Sequence, residues 1–140
     1  MAVNASGKNV IFLHGFKVDE QEARAWNAEM FKRLWQSGSG ARFHGVTWFG
    51  NDGINNGALN YHGNVVHAFE AAPHLRDYVY SLSGEKTVMA HSLGDIVISS
   101  AIADHDMSAG KYFMLNAAVA SEAFDVSQWT DSPATANVMV

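Results

Sequence analysis

The feature that most constrains this chain is an alternation between short apolar runs and longer stretches with helical spacing. Residues 9–13, "NVIFL", form an unbroken run rich in β-branched and aromatic residues, the signature of a strand buried on both faces of a parallel sheet. Asp19 then opens "DEQE", with Glu22 three positions on, which reads as a capping box. Trp26, Met30, Phe31, Leu34 and Trp35 follow as one apolar stripe on a helix over about residues 20–36. Gly38 supplies a stop. A second strand falls within 41–50, centred on Phe43 to Trp48. "GNDGINNGALNYHG" is rich in Gly and Asn and reads as a loop. Val65 to Leu82 resume helical spacing, and Pro73 inside that run predicts a kink or two consecutive helices. "EKTVMAH" is a third strand. "LGDIVISSAIAD" is a third helix, with Ile96, Val97, Ser100 and Ala101 toward the sheet. "KYFMLNAAV" is a fourth strand, and the tail from Ala120 is less regular. The order β-α-β-α-β-α-β requires an α/β fold, a parallel sheet of about four strands with helices on both faces.

Length and composition narrow the function classes. One domain spanning residues 1–140 is expected. The 48% hydrophobic and 16% charged residues suit a globular chain rather than a disordered one. A net charge of −5 without any basic cluster argues against nucleic acid as a partner. The absence of cysteine removes thiol catalysis, disulfides and thiolate metal sites, but leaves the compartment open. No apolar run is long enough to span a membrane, and no signal peptide is visible.

In open α/β sheets, functional groups collect at the carboxyl ends of the strands. Two stretches stand out there. In "AHSLG", Ser92 lies on a sharp strand-to-helix turn, with the small residues Ala90 and Gly94 on either side. The helix that follows directs its free N–H groups and positive end toward the serine, so the Leu93 amide is the natural first donor to an oxyanion. In "FLHGF", Gly15 lets the chain turn sharply after the first strand, so that the Phe16 amide can point back toward Ser92.

These residues, "VIFLHGF" at 10–16 and "VMAHSLGD" at 88–95, resemble the α/β-hydrolase fold, its lipase and esterase branch in particular. They correspond to the His-Gly oxyanion loop and the G-x-S-x-G nucleophile elbow, with Ala90 in place of the first glycine. The resemblance covers about residues 9–119. It implies Ser92 as nucleophile, Phe16 and Leu93 as the oxyanion hole, and His14, Gly15, His91 and Gly94 as supporting positions. It implies hydrolysis of a small ester or lipid ester through an acyl-enzyme, with no cofactor; separately, the seven histidines do not fall at metal-ligand spacing, so no metal is expected.

The resemblance also calls for an acid and then a histidine after the serine. The one histidine beyond Ser92 is His105. A helix over Leu93–Asp104 is roughly 18 Å long, which carries His105, Asp104 and Asp106 to the opposite end of the sheet and excludes them. Asp125 is the candidate acid, ahead of Glu122, and Asn116 stands where some members carry one. His62 and His67 are the candidate substitute bases, although both also read as surface histidines. His44 and His74 are poorly placed. Trp48, Phe49 and Tyr61 read as packing aromatics or as the lining of an acyl pocket. The family's histidine follows the last strand of a longer sheet, so a partial or minimised hydrolase is expected. The alternative is a catalytically incomplete module that binds or oligomerises through an open sheet edge.

Overall fold

A computed structural model describes residues 7–51 and 57–124, and in that range the alternation is present as read. The elements run β1 (Lys8–Leu13), α1 (Glu20–Gln36), β2 (Arg42–Val46), α2 (Gly57–Ser81), β3 (Glu85–His91), α3 (Gly94–Ala103) and β4 (Lys111–Leu115). A short 3₁₀ turn over Ser121–Phe124 follows. The four strands form one all-parallel sheet in the order β2-β1-β3-β4.

That order decides where a site can form. From β1 the chain first moves outward to β2, then crosses back to β3 and continues to β4 on the other side. Loops leaving β1 and β3 therefore diverge, and the crevice between their carboxyl ends is the position at which open α/β sheets bind ligands. His14-Gly15-Phe16 and His91-Ser92-Leu93 lie on either side of it.

The two faces of the sheet are unequally covered. Ile11, Leu13, Val88 and Ala90 pack against α2 and α3 in one continuous core with Ala68, Ala72, Leu75, Val79, Val97, Ile98 and Ala101. The alanines at 68, 72 and 101 let the helices approach one another and the strands closely. In α3 the buried pair is Val97 and Ile98, with Ile96 only partly buried, because this helix is enclosed by α2 as well as by the sheet.

Among the described residues, the opposite face holds α1 alone. Its capping box forms as expected: the Asp19 carboxylate accepts from the amides of Gln21 and Glu22, and Glu22 accepts from the Asp19 amide. Gly38 takes φ 82, and the amides of Gly38 and Ser39 reach back to the carbonyls of Trp35 and Leu34, a Schellman stop. The expected core stripe is another matter. Only Ala23 is fully buried; Trp26 is 42% and Trp35 63% exposed. Trp26 stacks on His91 and Phe31 leans on Phe43, so the stripe does face the sheet, but no second helix among the described residues closes over its rim.

Four features differ from the sequence reading. α2 is a single helix through Pro73, although the ring removes one backbone donor. It also begins at Gly57, so Tyr61 and His62 stand on a helix and not in a loop. Phe16 meets the Tyr61 ring edge-on and Asn64 is fully buried, so tertiary packing overrides the low helix propensity of this Gly- and Asn-rich segment. β2 and β4 are shorter than expected, ending at Val46 and Leu115.

Candidate active site

The turn between β3 and α3 carries one of the positive-φ non-glycine residues at this edge, the others being Lys17 and Asn116. Ser92 adopts φ 54, a left-handed conformation that costs a non-glycine residue on the order of 1–3 kcal/mol. Three backbone hydrogen bonds hold it there: Ser92 N–H to the Leu115 carbonyl (3.0 Å), and Asp95 N–H and Ala118 N–H to the Ser92 carbonyl (both 3.1 Å). The end of β4 thus fixes the turn from one side.

β1 fixes it from the other. A Cβ on Gly94 would lie 2.4 Å from the His14 carbonyl oxygen, so only glycine lets the start of α3 sit against the end of β1. A Cβ on Gly15 would meet His91 Nδ1, the His91 carbonyl and Ser92 Cβ, each at 3.0 Å. The two motifs singled out in the sequence are therefore in direct contact, with the Gly15 backbone beside the Ser92 side chain.

The amides around this point divide into two kinds. Those of Lys17, Ser92, Asp95 and Ile96 donate to backbone carbonyls. Among the described residues, those of Phe16, Leu93 and Gly94 do not. N–H groups without internal acceptors thus lie beside a serine of positive φ at the N-terminus of α3.

His14 is fully buried and both its nitrogens are engaged. Nδ1 donates to the Gly15 carbonyl (3.0 Å) and Nε2 accepts from the Trp48 amide (3.3 Å). The Trp48 indole returns a bond to the His14 carbonyl (2.8 Å), and the two rings stack. Burial lowers the His14 pKa, opposed by the bond to Gly15, so the ring is a neutral brace for the loop. His91 lies flat on Trp26 on the α1 side of the sheet.

The candidate bases are not assembled around the serine. Among the described residues the Ser92 hydroxyl has no hydrogen-bond partner. His62 is exposed and touches the Tyr61 ring. His67 packs against Phe49, and its Nδ1 is buried without a partner. His44 is occupied by Tyr78 and Asn9. His105 follows the far end of α3, where its carbonyl accepts from Arg76. Asp125 lies outside the described residues.

A group the sequence reading passed over is Asp95. It is fully buried in the first turn of α3, one oxygen 2.9 Å from the Tyr112 hydroxyl and the other without a partner. Burial pushes its carboxyl up to about 7, and the bond from Tyr112 opposes the shift. The available signal was a lone acid inside the apolar run "LGDIVIS".

Compared with protein-family models, with curated proteins and with solved structures, the chain matches none. No helix among the described residues is long and apolar enough to cross a membrane.

Proposed function

We propose that this protein is a serine hydrolase of the α/β-hydrolase type, acting on carboxylic esters. The observation that supports this best is the pairing of Ser92, at φ 54, with the acceptor-free amides of Phe16 and Leu93 at the divergence point of the sheet. A strained turn in a well-hydrogen-bonded loop is retained where it aims a side chain. In this reading the Ser92 hydroxyl adds to the ester carbonyl, and the Phe16 and Leu93 amides receive the oxyanion. The alcohol then leaves with a proton, and water releases the acid from the acyl-serine. His62 or His67 would carry the proton as base, and Asp125 would be the orienting acid. His14, Gly15, His91 and Gly94 hold the backbone that aims the donors.

The test is labelling with a fluorophosphonate together with hydrolysis of short p-nitrophenyl esters. Both are expected in the native protein and absent in Ser92→Ala. Well-folded native protein that neither labels nor turns over would refute the proposal.

A second reading is supported by the absence of an imidazole at the Ser92 hydroxyl and by the apolar edge strand β4, where Phe113 is 51% exposed. There the fold serves as a binding or oligomerisation module, and an open edge pairs with another copy. Sedimentation of the unlabelled protein separates the two: a stable dimer without labelling favours the module, and a labelled monomer favours the hydrolase.

A further inference from the structure

Ser92 is held from the β4 side at two levels. Through the main chain, its amide donates to the Leu115 carbonyl and its carbonyl accepts from the Ala118 amide. In the first turn of α3 the hold is made by a side chain. The Tyr112 hydroxyl of β4 lies 2.9 Å from Asp95 Oδ1, 3.1 Å from the Asp95 carbonyl oxygen and 3.3 Å from Ser99 Oγ. The Asp95 amide in turn donates to the Ser92 carbonyl (3.1 Å). Asp95 is thus the link through which Tyr112 reaches the backbone of the serine.

A carboxyl is a destabilising choice for such a link. Asp95 is fully buried, and its Oδ2 has no hydrogen-bond partner. A buried unpaired oxygen weakens a fold, and a buried carboxylate does so far more. The Tyr112 hydroxyl carries one hydrogen and faces three oxygens, so a proton on the Asp95 carboxyl supplies the cluster with a further donor. Tyr112 is the one titratable side chain bonded to Asp95. α2 and β3 also pack against α3, yet among the described residues they add no hydrogen bond, ion pair or electrostatic interaction to the carboxyl. A cleft of about 510 Å³ opens behind Trp48 on the α2 side; Val97 lines it, but Asp95 and Tyr112 do not, so it brings no water to the carboxyl.

We propose that Asp95 and Tyr112 form a latch on the Ser92 turn, with Asp95 as a positioning residue: the protonated pair holds the turn, and loss of the Asp95 proton to solvent opens the first turn of α3. An ionised Asp95 would have one hydroxyl donor for two oxygens, and it gains water only if that turn moves away from β4. Because burial pushes the group up to about 7, the latch opens across neutral pH. Resting on the hydrolase reading, an open latch no longer aims the Ser92 hydroxyl and the Leu93 amide, and the serine loses reactivity as pH rises.

Two readouts test this in native protein and in Asp95→Asn, which keeps the size of the side chain and an acceptor for Tyr112 but cannot ionise. The first is the rate of fluorophosphonate labelling from pH 5.5 to 8.5. The native-to-variant ratio cancels the titration of any base, and it is expected to fall about tenfold by pH 8. The second is protection against hydrogen exchange at the Asp95 and Ile96 amides, which donate to the carbonyls of Ser92 and Leu93. It is expected to fall over the same range in native protein only, and Tyr112→Phe is expected to show low values of both readouts already at pH 5.5. Overall stability responds to Asp95 between 3.8 and about 7, so a merely structural role leaves both readouts level from pH 7 upward. Level protection from pH 7 to 8.5 in native protein overturns the latch, and so does a level ratio in a protein that labels. Protection that falls as expected, in native protein that labels at no pH, upholds the latch and refutes the hydrolase reading instead.

Discussion

Replacing Asp95 by asparagine is expected to remove a pH-dependent loss of stability. In the folded protein the carboxyl is buried and titrates at about 7; in the unfolded chain it returns to 3.8. Between these values the folded state keeps a proton that the unfolded state has lost, so stability falls as pH rises through this window and is level above it. At 1.36 kcal/mol per unit the difference corresponds to about 4 kcal/mol. Where the positive end of α3 favours the carboxylate by up to about 1 kcal/mol, the folded value falls below 7 accordingly and the difference is about 3 kcal/mol. Asparagine keeps an acceptor for the Tyr112 hydroxyl and carries no charge, so its stability should not follow that curve. The assay is urea unfolding of both proteins at intervals from pH 4 to 8. Taking the difference between them cancels the other titrating groups. Asp95→Asn is expected to lie within about 1 kcal/mol of native protein at pH 4, where an unpaired amide is its main cost, and to exceed it by about 3 kcal/mol at pH 8. A difference that does not grow with pH would show that Asp95 is solvated or paired, and the account of its burial would fail.

Other perturbations probe the remaining contacts. Tyr112→Phe removes the donor to Asp95 and should cost about 1–3 kcal/mol; because that bond opposes the Asp95 shift, the pH window should extend upward, as seen in the same unfolding series. Gly94→Ala forces a methyl to within 2.4 Å of the His14 carbonyl and should destabilise by about 1–3 kcal/mol in thermal unfolding, with loss of fluorophosphonate labelling. Ser92→Gly relieves the positive φ and should melt higher than Ser92→Ala by the equivalent of about 1 kcal/mol; equal stabilities would show that the turn is unstrained. Asp19→Ala removes the cap of α1 and should cost about 1 kcal/mol without altering labelling, since α1 lies on the face away from the cleft.

The layout of the fold was legible because it depends on local chemistry. The unbroken apolar run of β1, the Asp19–Glu22 box and the Gly38 stop are each set by neighbours in the chain, and α1 spans the residues expected of it. That Gly15 and Ser92 share one edge was legible for a related reason: in a parallel sheet, all strand-to-helix loops emerge at the same edge. Where the reading failed, contacts distant in sequence prevailed. "GALNYHG" is helical because Tyr61 meets Phe16 and Asn64 is buried, which no propensity of its own would favour. Trp26 and Trp35 have the spacing of core residues yet remain exposed, because spacing says which way a side chain faces and not whether another layer covers it.

By itself, the sequence determined that this chain alternates strand and helix into a parallel sheet, and that Ser92 and the His14-Gly15-Phe16 loop stand at its carboxyl edge. Hydrophobic period and turn chemistry act over a few residues and can be read there. Tertiary structure alone decided that β1 and β3 are neighbours, that the Phe16 and Leu93 amides lack acceptors among the described residues, that Asp95 is buried beside Tyr112 and that a cleft opens behind Trp48. Each depends on which strand pairs with which and on how closely helices pack against them, and these are settled only when distant segments meet.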